Sequence, residues 1–129
     1  MSGVALEKHL HKIIEDDLKT KLIMTEEYDI FDYINKDRSI FVELKGRNCY
    51  KSTYPTTMMG KNKIDEADQL LMTQARIYFY FSFLDGLYRF EYTKKIRSKL
   101  KLALGGRTDR GKDETKLYYY IPINLLIKV

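Results

Sequence analysis

The stretch Glu27-Tyr28-Asp29-Ile30-Phe31-Asp32-Tyr33-Ile34-Asn35-Lys36-Asp37-Arg38-Ser39-Ile40-Phe41-Val42-Glu43-Leu44-Lys45-Gly46-Arg47 decides how this chain reads. Two runs rich in β-branched and aromatic residues, Tyr28–Ile34 and Ser39–Lys45, flank the polar turn Asn35–Arg38, which predicts a β-hairpin. Successive side chains of a strand point to opposite faces. Ile40, Val42 and Leu44 therefore share one face, and Phe41, Glu43 and Lys45 the other. On the first strand Asp29, Phe31 and Tyr33 go together, and a regular hairpin brings Asp29 toward Glu43 at its open end. Spacing alone makes Glu43 and Lys45 no more than an ion pair on a strand, worth a fraction of a kcal/mol.

Two carboxylates converging on a sheet edge beside a lysine can do more. Mg²⁺ takes one or two protein carboxylates and shares a substrate's phosphate oxygens. It lowers the pKa of water and polarises the phosphoryl group, and a neighbouring ammonium can orient that water or stabilise the developing charge.

Glu27-Tyr28-Asp29-Ile30-Phe31, a polar turn, then Ile40-Phe41-Val42-Glu43-Leu44-Lys45-Gly46-Arg47 resembles the signature of the PD-(D/E)XK nuclease superfamily, which includes restriction endonucleases and archaeal Holliday-junction resolvases. The resemblance spans about residues 4–84. It departs from the pattern at Tyr28, where a proline is common. It implies an α+β restriction-endonuclease-like fold, with a central mixed sheet flanked by helices, here followed by a C-terminal β extension. It also implies Mg²⁺ or Mn²⁺ held by Asp29, Glu43 and the Leu44 carbonyl, with Lys45 positioning the attacking water. Asp32 is a competing first acid, set aside because strand parity puts it on the opposite face. Glu7 is the implied auxiliary metal ligand, with Glu15 as its alternative, and Gln69 is a candidate polar residue on the helix after the catalytic strand. In this superfamily a cut in both strands of a duplex is usually made by a homodimer.

Outward from this core, apolar residues Leu6, Leu10, Ile13, Ile14 and Leu18 predict an amphipathic helix over residues 4–18, and a short strand is expected at Lys21–Met24. Asn48–Gly60 reads as a loop and Lys61–Thr73 as a helix. Ile77–Leu84 and Leu87–Tyr92 read as strands joined by the turn signal Asp85-Gly86. Lys94–Leu104 fits helix or strand, Gly105–Thr115 reads as a basic loop, Lys116–Ile121 as a strand, and Ile123–Val129 as a short closing element. Most of the eleven tyrosines fall on strands and are expected in the core or on the sheet surface, bonded through their hydroxyls.

The 129 residues suit one domain (core about 4–84, extension about 85–129), with 44% hydrophobic and 32% charged residues. No apolar run is long enough to span a bilayer. The single Cys49 excludes an internal disulfide, and no Cys/His cluster suggests zinc. An intracellular setting is expected, in cytoplasm or nucleus, and the Lys-, Ile- and Tyr-rich composition hints at a virus-encoded protein. Charge is unevenly spread: residues 1–85 carry 12 Lys/Arg against 14 Asp/Glu, and residues 86–129 carry 11 against 4. That asymmetry points to a polyanion, with DNA the expected partner and no membrane. The expected phosphate contacts are Arg47, Lys51, Lys61 and Lys63, with Arg107, Arg110 and Lys112 in the basic loop. Gly105–Lys112 lacks the ending and setting of a phosphate-binding P-loop. The rival to a nuclease is a catalytically silent nucleic-acid-binding or structural module on the same scaffold.

Overall fold

A computed structural model of the chain describes residues 3–26, 29–105 and 116–129; Arg107, Arg110 and Lys112 lie outside the described residues. The chain opens with helix α1 (Gly3–Leu18), followed by strands β1 (Ile23–Met24), β2 (Tyr33–Ile34) and β3 (Ile40–Gly46). Strand β4 (Thr56–Gly60) runs straight into helix α2 (Lys61–Leu71). Strands β5 (Arg76–Phe83) and β6 (Gly86–Tyr92) form a hairpin. The short helix α3 (Lys94–Arg97), β7 (Lys101–Gly105), β8 (Lys116–Pro122) and β9 (Ile127–Lys128) complete the order.

Six strands build the main sheet in the order β1-β2-β3-β5-β6-β9. It is mixed: β3 and β5 run parallel, from Ile40 opposite Arg76 to Gly46 opposite Ser82, and the other pairs are antiparallel. A parallel pair needs a crossover, and β4 with α2 supplies it. A second, antiparallel sheet has the order β4-β8-β7. The fold is thus mixed α+β, as expected, but the C-terminal strands are no appendage. β8 and β7 join β4 to make the second sheet, and β9 extends the first beside β6.

The core follows from the alternation of β5, which is buried on both faces as a central strand must be. Ile77, Phe79, Phe81 and Phe83 join Phe31, Phe41, Met59, Ile64, Ala67, Phe90, Tyr92 and Ile121 on the side of α2 and the second sheet. Tyr78 and Tyr80 face the other way, with Tyr33, Val42 and Leu87, against Leu10 and Ile14 of α1. Burying each such large side chain contributes about 1.5–3 kcal/mol. The helices are also fixed by polar anchors. Asp17 of α1 accepts from the Tyr80 hydroxyl and, at 2.7 Å, from Arg89 Nε. Asp68 of α2 accepts from the Tyr92 hydroxyl and, at 3.3 Å, from Arg97 Nε. In each case burial and the neighbouring aspartate push the tyrosine pKa well above its ordinary value, which keeps the phenol a donor.

Three expectations are corrected. Regular pairing covers only Tyr33 and Ile34 of the predicted strand 28–34, because backbone acceptors just before them are taken by side chains: Thr25 Oγ1 bonds Phe31 O and Asp32 O, and Lys63 Nζ bonds Ile30 O. Within the predicted loop 48–60, Thr56–Gly60 is a strand because β8, far along the chain, pairs with it from Thr56–Pro122 to Gly60–Tyr118. The ambiguous segment 94–104 divides: Thr93 Oγ1 caps a single helical turn through Ile96 N–H, and the chain then extends into β7.

The anchors can be weighed. Asp17→Ala leaves the Tyr80 hydroxyl and the Arg89 guanidinium without their shared acceptor, and is expected to destabilise the fold by about 1–3 kcal/mol. Urea unfolding would read this as a lowered midpoint with unchanged slope.

Candidate active site

The parallel strand β3 carries the site. Its Phe41, Glu43 and Lys45 face α2, as strand parity requires, and Glu43 is only 1% exposed. Lys45 Nζ lies 3.3 Å and Lys63 Nζ 3.2 Å from Glu43 Oε2. Lys63 reaches the site because it stands in the first turn of α2, and its ammonium also donates to the Ile30 carbonyl. One lysine thus ties the segment ahead of β2 to β3. Expected as a phosphate contact, it sits inside the cluster and also lines the cleft.

The acid that joins Glu43 is Asp32. Asp32 N–H donates to Val42 O at 3.0 Å, and its carboxylate accepts from Leu44 N–H at 2.8 Å. The side chain takes the place of the next backbone acceptor in the ladder. A residue's N–H and C=O lie on the same edge of a strand, so the Leu44 carbonyl faces this edge too, beyond the two residue pairs that β2 contributes. Burial pushes the Glu43 pKa up to about 7, and the negative charge of Asp32 pushes the same way. The two lysines oppose the rise without cancelling it.

Asp29 is placed elsewhere. Its carboxylate accepts from Glu26 N–H at 2.9 Å, and it lines a cavity with Arg38, Glu66 and Leu70 that contains none of Glu43, Leu44 or Lys45. The expected hairpin convergence fails because residues 29–32 turn rather than extend. For the same reason the parity that set Asp32 aside does not apply to it.

Other expected residues divide similarly. Glu7 is exposed on the α1 side of β3 and lines a cavity with Leu44 and Gly46. Its charge and that of Asp32 help burial push Tyr33 up to about 12. Glu15 is occupied, accepting from Leu22 N–H at 2.8 Å, and Gln69 is exposed. Arg47 does not offer a free guanidinium. It reaches Thr57 Oγ1 at 3.2 Å, Met58 O at 2.5 Å and Gly46 O at 3.3 Å, clamping the end of β3 to β4. Lys61 pairs with Asp65 one turn along α2. Lys51 Nζ lies over the Tyr88 ring, 5.2 Å from its centroid. Lys116 and Asn62, which sequence reasoning missed, line the cleft with Lys45, Arg47, Lys63 and Tyr118. Lys116 enters through the pairing of β8 with β4, for which the local sequence carries no signal.

Among the described residues no group of three or more His, Cys, Asp or Glu side chains gathers as a metal cluster. The donor set is two carboxylates and a carbonyl. It nevertheless suits a hard divalent cation, since a buried carboxyl that resists ionisation beside a second acid gains most from a cation between them.

This chain belongs to the family described as "Phage putative PDDEXK endonuclease", whose model matches residues 2–129. The match supports nuclease activity in general and a nucleic-acid substrate, and it takes in the strands after residue 84 as well as the core. No curated protein and no solved structure matches the chain significantly. No helix among the described residues is long and apolar enough to cross a membrane.

The raised pKa of Glu43 has a thermodynamic sign. A carboxyl that moves from 4.5 to about 7 on folding binds its proton more tightly in the native state, so stability falls as pH rises through that interval and is level beyond it. In EDTA, Glu43→Gln is therefore expected to be more stable than the wild type above pH 7, by at most about 3 kcal/mol. Thermal melts across pH should show the two curves converging below about pH 5.

Proposed function

We propose that this protein is a metal-dependent endonuclease that hydrolyses phosphodiester bonds of DNA at the cluster Asp32, Glu43, Leu44 and Lys45. The observation that carries this reading is the buried Glu43 carboxylate with two ammonium groups 3.2 and 3.3 Å from it, beside the Asp32 carboxylate held on Leu44 N–H. Asp32 and Glu43, with the Leu44 carbonyl, would hold Mg²⁺ or Mn²⁺. When bound, the cation would supply Lewis acidity toward the phosphoryl oxygens and lower the pKa of water.

The chain's own residues do the rest. Lys45, 40% exposed on its side chain and anchored to Glu43, points an ammonium into the cleft. There it can hold the attacking water by a hydrogen bond and meet the charge that builds on the phosphate oxygens as the P–O bond to the leaving sugar breaks. Lys63 positions rather than reacts: by holding both Ile30 O and Glu43 it keeps the Asp32 segment against β3. Lys116 and Asn62 line the same cleft and suit the flanking phosphates. Glu7, across β3, adds negative potential on the Leu44 side.

A second reading has one observation in its favour. The Glu43 charge already meets two lysines, as it would in a binding module that needs no cation. Cleavage of a substrate panel (duplex, single strand, junction, flap) in Mg²⁺, Mn²⁺ and EDTA separates the two. The nuclease reading expects cation-dependent cleavage that falls about 10²–10⁴-fold in Lys45→Ala, Asp32→Ala and Glu43→Ala. Asp29→Ala should cleave near the wild-type rate. Equal rates in the wild type and Lys45→Ala would exclude it.

A further inference from the structure

The second sheet turns Thr57, Met59, Tyr119 and Ile121 to the core and Thr56, Met58, Gly60, Tyr118 and Tyr120 outward. That outward face fronts two adjoining cavities. One is the cleft of Lys45, about 330 Å³, whose lining includes the cations Lys45, Arg47, Lys63 and Lys116 and no acid. The other, about 450 Å³, is apolar and aromatic, walled by Cys49, Tyr50, Tyr54, Pro55, Phe83 and Tyr120. Arg47 and Met58 line both, so the two share a wall.

An anion compartment opening beside an aromatic one matches the two halves of a nucleotide. We propose that the second cavity receives a nucleobase adjacent to the scissile phosphate, so that this nuclease acts on single-stranded or locally unpaired nucleic acid. The inference rests on the nuclease reading above and names its substrate class. Bases in a duplex are stacked and paired and must be extruded to enter such a pocket, whereas an unpaired strand offers them freely. The volume is within the range of small-ligand sites. Tyr50 and Tyr54 stand 57% and 62% exposed at its mouth, a placement that favours stacking partners over core side chains. Lys51 adds positive charge at the rim for the strand's backbone. Several polar groups of the wall are already engaged. The Arg47 fork is held by Thr57 and Met58, and Tyr120 donates to Leu104 O at 3.2 Å. The pocket therefore grips a ring face and reads few base edges, which makes it tolerant of sequence.

Single-stranded oligonucleotides with 2-aminopurine at successive positions, bound by the full chain in EDTA, test the pocket without cleavage. Quenching is expected at one position within a nucleotide or two of the cut, and it should be lost in Tyr54→Ala and Tyr50→Ala. In Mg²⁺ the same two variants should lose roughly five- to a hundredfold in kcat/KM on single strands, the loss of one stacked base, and Tyr54→Phe should retain activity. An abasic site at the quenched position should reproduce the loss in the wild type. Quenching at no position, or variants that cleave single strands as the wild type does, would overturn the proposal and leave the cavity to a protein partner. Failure of the nuclease reading shows separately, as absent cleavage or as full activity in Lys45→Ala, whatever the fluorescence does.

Discussion

A carboxylate buried to 1% exposure in the middle of a mixed sheet is the constraint around which this molecule is arranged. An isolated buried charge costs several kcal/mol, and it persists only where partners converge on it. Here they are two: Lys45 two residues along the strand and Lys63 at the start of α2, while the like charge of Asp32 ahead of β2 works against them. Bringing Lys63 to Glu43 requires α2 to pack on the face that carries Phe41 and Glu43. That in turn requires the crossover from β3 through β4 to β5. The same geometry leaves the aromatic side chains of β5 to fill the space beneath α2.

Much of this was legible in the sequence, and the legible parts share a physical cause. Helix α1, strand β3, helix α2 and the β5–β6 hairpin announce themselves through local periodicity or turn chemistry, and each is found within a few residues of its expected limits. The Glu43–Lys45 face follows from strand parity alone. Strand β4 was not legible, since a run of Thr56-Thr57-Met58-Met59 becomes a strand only when β8 arrives. The contact of Asp32 with β3 was hidden for a subtler reason. Parity arguments assume a regular ladder, and this ladder ends where side chains of Thr25, Asp32 and Lys63 take over from backbone groups. The bonds that hold Arg47 against Phe81 and Thr57 were not legible because they depend on the same distant pairing.

The two Asp–Tyr–Arg anchors show one solution used twice. Asp17 and Asp68 each leave a helix to meet a tyrosine hydroxyl and an arginine from the strands or short helix beyond. Each anchor adds a directional bond to the apolar packing that orients its helix. For α2 that orientation decides whether Lys63 faces Glu43, so a bond remote from the cleft helps set the geometry inside it.

The pairing of β4 with β8 has a consequence in time. Asp32, Glu43, Lys45 and Lys63 all lie in the first half of the chain, whereas Lys116, Tyr118 and Tyr120, which wall the two cavities, come only with β8. Contacts between segments so far apart in sequence form slowly, because loop closure must precede them. On the ribosome the Glu43 cluster is therefore translated well before the surface that borders it. A chain still being made thus holds these side chains before it holds the wall that β8 completes.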